Sequence, residues 1–251
     1  MQKVTYKDLK ATFPKEKRGV ESVYGRIVPV RQISYLFSIP LLNLGASAFT
    51  ASVISMFIAV LACVFISIPN DICRIIGVFL VPVWHIFDCV DGNIARYTRT
   101  ASDFGSAVDA ICGYFIGAFL PLALGIAAWN IQDNYFSFPP ICFLIIGAIG
   151  SVCEVLMRLI HQKYAFEALS VEVKTGAKFE KGDNQYTLTG FHKLRKMADV
   201  ELNVVGFPMF VLFLCPFFNL FHVLAAYYGL FNLASLCVIT WYYLKKCNKG
   251  Q

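Results

Sequence analysis

The sequence is short of charge: only 15% of its 251 residues are Asp, Glu, Lys or Arg, while 57% are hydrophobic. Ordinary soluble domains carry about 25% charged residues, so a water-facing surface of the usual kind is excluded. The nine cysteines never form a C-x2-C pair and most sit inside apolar runs, which argues against a zinc ribbon or a disulfide scaffold and for small buried hydrophobes. With 17 Gly and 10 Pro, neither collagen-like nor low-complexity classes apply. The first twenty residues, MQKVTYKDLKATFPKEKRGV, lack the apolar stretch of a signal peptide. The mean hydropathy of +0.61 leaves a polytopic, all-α integral membrane protein.

Crossing a hydrocarbon core about 30 Å thick takes about 20 apolar residues of helix. Six stretches qualify as expected spans: 49–69, 72–96, 104–129, 137–161, 203–220 and 222–244. Residues 22–40 mix apolar and basic positions, as an interfacial amphipathic helix does. The expected organisation is a cytoplasmic N-terminal segment with that helix (1–45), then a six-helix membrane domain (46–251) carrying a polar loop at 162–202. Inside the loop, Lys181-Gly182-Asp183-Asn184 is a turn signal for a short hairpin. With six alternating spans, every Lys and Arg except Arg74 falls on one side. The positive-inside rule then predicts cytoplasmic termini. The net charge of +6 fits loops meeting an anionic leaflet and calls for no nucleic acid.

Ionisable side chains at the bilayer centre cost about 2.5–3.5 kcal/mol on insertion scales. Yet Asp88 and Asp91 fall in the second expected span, Asp109 in the third and Glu154 in the fourth. At about 100° per residue, Asp88, Asp91, Gly92 and Ala95 share one helical face with Arg96 at its edge. Gly105, Asp109 and Gly113 follow one another at i, i+4, i+8 on the next span. The short connection YTRTAS predicts antiparallel neighbours, which brings three carboxylates together beside small residues. All-oxygen ligands suit Mg²⁺ or Mn²⁺. Glu154, Arg158 and His161 form a further stripe, read either as an interfacial ion pair or as an acceptor pocket with Arg158 gripping a polar group. Lys193, Arg195 and Lys196 read chiefly as a basic surface run.

The stretch Asp88-x2-Asp91-Gly92-x2-Ala95-Arg96-x8-Gly105-x3-Asp109 closely resembles the signature of the CDP-alcohol phosphotransferases. That resemblance implies a membrane transferase of phospholipid or glycolipid biosynthesis, moving a phosphate-linked alcohol group from a CDP-linked donor to a lipid or alcohol acceptor hydroxyl and releasing CMP. Carried over by position, Asp88, Asp91 and Asp109 would ligate one or two Mg²⁺ or Mn²⁺ ions. Gly92, Ala95 and Gly105 would make room for cytidine, and Arg96 would hold phosphate oxygens. The active site would face the cytoplasm; a homodimer is left open. The family pattern continues with a fourth aspartate, the usual base for the acceptor hydroxyl, where this chain has Gly113. Three readings follow: a substitute base, with His85 and Glu154 as candidates; an acceptor needing little base help; or a silent relative that binds a CDP-alcohol without turning it over. An intramembrane cation transporter is the alternative outside the family.

Overall fold

The computed structural model describes residues 4–13, 22–131, 138–176 and 200–249. All the regular structure among them is helical. Three short or amphipathic helices come first: α1 (Tyr6–Ala11), α2 (Val23–Ile27) and α3 (Val30–Asn43). The bundle follows with α4 (Ala48–Ser67), α5 (Asp71–Thr98), α6 (Asp103–Trp129) and α7 (Pro140–Thr175). It closes with α8 (Pro208–Phe218) and α9 (Phe221–Lys249).

Local sequence sets most boundaries. Ser47, Asn70 and Ser102 each accept a first-turn backbone N–H and start α4, α5 and α6, which satisfies donors that a helix start leaves open. Thr5 and Asp8 form a reciprocal capping box on α1, and the Thr5 hydrogen bonds hold the Asp8 carboxyl below the usual carboxylate range. Arg99 closes α5 and Gly176 closes α7, both in the left-handed region.

Among the described residues, five helices are long and apolar enough to cross a membrane: α4, α5, α6, α7 and α9. The chain is therefore an integral multi-pass membrane protein. The sixth expected span, 203–220, is not a helix of spanning length. Turns occupy 203–207, and α8 has 11 residues, about 16 Å of rise. Pro208 opens it and the left-handed Asn219 ends it. Residues 22–40 likewise form two helices instead of one, broken at Val28-Pro29, with Pro29 as the N-cap of α3. The polar segment 162–202 begins as helix, because α7 runs on to Thr175. The hairpin expected at Lys181–Asn184 and the basic run Lys193, Arg195 and Lys196 lie outside the described residues.

Helix pairing differs from the simple antiparallel order in a way that makes the site. α4 packs extensively against both α5 and α6, whereas α5 and α6 barely touch. The expected side-by-side pair is thus a three-helix arrangement with α4 as the wedge. On the far side, α7 packs on α6 and α9 on α7. Phe143 meets His222 near the starts of α7 and α9, and His161 meets Tyr243 about five to six turns further along both, so these two helices run parallel. The chain between them has to return along the bundle, and α8, packed against α5 and α9, lies on that return.

Close crossings depend on absent side chains. A Cβ on Gly147 would stand 2.5 Å from the Pro121 carbonyl oxygen and 2.9 Å from Gly125 Cα. The α6–α7 backbones therefore touch, the small-residue packing typical of helices in lipid. We expect Gly147→Ala to destabilise the protein by about 1–3 kcal/mol, as overpacking does, read as a lower unfolding midpoint in detergent. An unchanged midpoint would contradict the contact.

Candidate active site

Where α4 parts α5 from α6, a cavity of about 250 Å³ opens at the end of the bundle formed by the α5–α6 connection. Asp91, Gly92, Ala95 and Arg96 line it from α5, Gly105 and Asp109 from α6, and Ala48 and Ser52 from α4. The carboxyl groups of Asp91 and Asp109 are within hydrogen-bonding reach of each other. Asp88 lies close enough to interact electrostatically with both but does not form part of the cavity wall. Asp91 is buried and held on both oxygens: Ser52 Oγ donates to Oδ2 at 2.5 Å, and the Gly92 N–H donates to Oδ1. The oxygens are thus oriented before any ligand arrives.

Arg96 is positioned by a relay that starts on α3. Ser34 and Ser38 Oγ accept from Asn93 Nδ2 at 2.9 and 3.2 Å, and Asn93 Oδ1 in turn accepts from Arg96 Nη2 at 2.8 Å. The guanidinium folds over Gly92, where a Cβ would stand 3.0 Å from Nη1. The glycine expected to make room for cytidine thus first makes room for Arg96. Phe13 sits under two cations, with Arg31 at 3.8 Å and Arg96 at 5.5 Å from its ring centroid. Arg96 Nε is buried and makes no hydrogen bond.

The remaining sequence candidates lie elsewhere. His85 does not face this cavity; it stacks near Tyr24 and Trp84 and lines a smaller one on another flank of α5. Glu154 and Arg158 pair on α7, with Arg158 Nε 2.9 Å from Glu154 Oε1, and the Arg158 guanidinium lies over the Tyr114 ring at 4.5 Å. Both line a separate cavity of about 540 Å³ with His161, whose Nδ1 is 2.5 Å from Tyr243 Oη. Gly117 brings α6 against this pair, 3.0 Å from each head group for an added Cβ, whereas Gly113 faces open space. Asp109, Gly113 and Gly117 thus form one stripe, the glycines about 6 and 12 Å along α6 from the aspartate.

Among the described residues no group of three or more His, Cys, Asp or Glu is arranged to hold a metal ion. The donor chemistry nevertheless fits a hard divalent cation. Two meeting carboxylates with a third nearby offer only oxygen and excess negative charge, which Mg²⁺ or Mn²⁺ would offset. Sequence reasoning missed Ser52, Asn93, Arg31 and Phe13. Ser52 carried a signal, a hydroxyl on the small, buried face of α4 formed with Ala51, Ser55, Ala59 and Ala62.

Residues 46–241 match the family model of the CDP-alcohol phosphatidyltransferases. The chain belongs to this family, whose members transfer a phosphate-linked group from a CDP-alcohol in lipid biosynthesis. No curated protein matches the chain.

The open space at Gly113 has a direct consequence. We expect Gly113→Ala to raise stability by about 0.5–1 kcal/mol, since alanine removes glycine's entropy cost in a helix and meets nothing. A lower unfolding midpoint would show that the space is filled.

Proposed function

We propose that the chain is an active, metal-dependent transferase that moves a phosphate-linked alcohol group from a CDP-alcohol to an acceptor hydroxyl and releases CMP. The observation that carries this reading is the meeting of Asp91 and Asp109 in one cavity with Arg96. Asp88, Asp91 and Asp109 would hold one or two Mg²⁺ or Mn²⁺ ions. When bound, such an ion supplies charge neutralisation for the donor diphosphate. Arg96, fixed through Asn93, Ser34 and Ser38, grips phosphate oxygens and keeps the diphosphate in line. Ala95 and Gly105 leave the walls low enough for the base to approach.

In the reaction the acceptor oxygen bonds to the phosphorus that carries the donor alcohol. The bond from that phosphorus to the bridging oxygen breaks, the electron pair leaves with CMP, and the hydroxyl proton passes to a base. The vacant space at Gly113 is where the acceptor enters, between Asp109 and the Glu154–Arg158 pair. Neither candidate base lines the Asp91–Asp109 cavity. We favour Glu154, because the open stripe Asp109–Gly113–Gly117 leads to it, and over the intervening distance of about 12 Å the proton would travel through the acceptor and water. Arg158 pairs with Glu154 and contributes to the acceptor wall. The same reading puts α3 at the cytoplasmic interface, both termini in the cytoplasm, and α8 with its flanking turns on the return across the membrane.

The test is CMP release by purified protein with a panel of CDP-alcohols, acceptors, and Mg²⁺ or Mn²⁺. We expect release to need the metal and to fall at least about 100-fold in Asp91→Asn and Asp109→Asn. Undiminished release in either variant overturns the site, and CDP binding without release from any donor points to the silent relative. We also expect Glu154→Gln to lower kcat by about 100-fold, the usual scale for a lost base, with part of the loss restored by adding Gly113→Asp. Full activity of Glu154→Gln would remove it from the role.

A further inference from the structure

On the flank of α5 away from the Asp91–Asp109 contact is a second polar cavity, of about 150 Å³, built from three separated parts of the chain. Ser22 and Gly25 come from α2 and its cap, Val30 and Arg31 from the start of α3, His85 and Cys89 from α5, and Val200 and Val205 from the segment before α8. The parts are pinned together. Ser22 Oγ donates to the Val205 carbonyl at 2.7 Å, and the Val23 N–H donates to Glu201 Oε1 at 2.6 Å. Tyr24, fully buried, packs between His85 and Phe210.

Three features of the cavity favour an anion. The Arg31 side chain lines it and interacts electrostatically with His85. His85 Nδ1 is buried and makes no hydrogen bond, which is uncommon for a polar atom shielded from water and asks for a partner. Val30 and Arg31 open α3, whose N-cap Pro29 provides no capping side chain, so the positive end of a 14-residue helix adds its potential. The volume suits one tetrahedral oxyanion with a few waters and is too small for a nucleotide. His85, Cys89, Gly92 and Arg96, at steps of four, three and four, form one stripe up α5, so the cavity runs alongside the carboxylate site without sharing Asp91 or Asp109.

We propose that this cavity binds a phosphate-monoester group, held by Arg31 and His85, separately from the nucleotide-linked diphosphate. The group belongs either to a water-borne molecule or to a lipid head group, and the two sources are separable. In one arm, inorganic phosphate is titrated calorimetrically into the full chain in detergent micelles. In the other, the full chain is placed in nanodiscs of phosphatidylcholine with or without phosphatidic acid. CDP is titrated in parallel, so that a failure of the transferase reading, seen as loss of wild-type CDP binding, is distinct from a failure here.

We expect Arg31→Gln to weaken binding in the responsive arm by about tenfold or more, the scale of a lost charge-assisted hydrogen bond. Arg31→Lys should retain most of the affinity, and His85→Phe, which fills the cavity, should remove it. CDP affinity should fall much less than phosphate affinity in all three, by no more than about threefold, a small loss in the Arg31 variants being expected because Arg31 and Arg96 share the Phe13 ring. Absence of binding in both arms, binding indifferent to Arg31 and His85, or a parallel loss of CDP affinity overturns the proposal.

Discussion

A buried carboxyl group on α5, Asp91, facing an exposed one on α6, Asp109, across an open cavity is the constraint around which this protein is arranged. Asp91 and Asp109 come from different helices, and neither belongs by composition in a hydrocarbon environment. A buried carboxyl group beside a second acid is costly, so Asp91 needs donors or a counter-charge in place. Ser52 and the Gly92 N–H give Asp91 its donors, and Arg96 brings positive charge into the same cavity. Such an arrangement is costly for stability and useful for chemistry, because carboxyl oxygens already held in place can receive positive charge without further rearrangement.

The wedge of α4 follows from the same requirement. Had α5 and α6 packed along their full lengths, side chains would have filled the space between them. Instead α4 takes up the contact with both, and the cavity survives where the helices diverge. The rigid parts of the bundle lie elsewhere, at the backbone contacts of Gly125 with Gly147 and of Gly150 with Gly229. Close helix crossing at one end and separation at the other are complementary, since the tight contacts fix the angle that keeps the site open.

Gly113 joins the site to the rest of the molecule. It leaves a vacancy in the stripe that leads from Asp109 to Gly117, and at Gly117 the α6 backbone approaches the Glu154–Arg158 pair. On the other flank of α5, α2, α3 and the segment before α8 cover His85 and bring up Arg31. The N-terminal helices thus reach the carboxylate site through the Ser34–Asn93–Arg96 relay, while Arg31 lines the cavity on the other flank.

Composition and periodicity were enough to read the class of protein, the starts of all five long helices to within three residues, and the carboxylate face of α5. These are readable because hydropathy and helical periodicity are local, and Asp88, Asp91, Gly92, Ala95 and Arg96 lie on one continuous helix. The sequence pointed to one spanning helix over 203–220, where apolar composition is continuous but turns at 203–207 and the left-handed Asn219 confine the helix to Pro208–Phe218. It read one helix where Pro29 makes two, and direct α5–α6 neighbours where α4 intervenes. Only the tertiary structure decided that Ser52 meets Asp91, that Arg31 and Arg96 share the ring of Phe13, and that His85 and Glu154 stand in different cavities. Each of these is a long-range pairing, fixed by helix rotation and crossing angle, which no local spacing encodes.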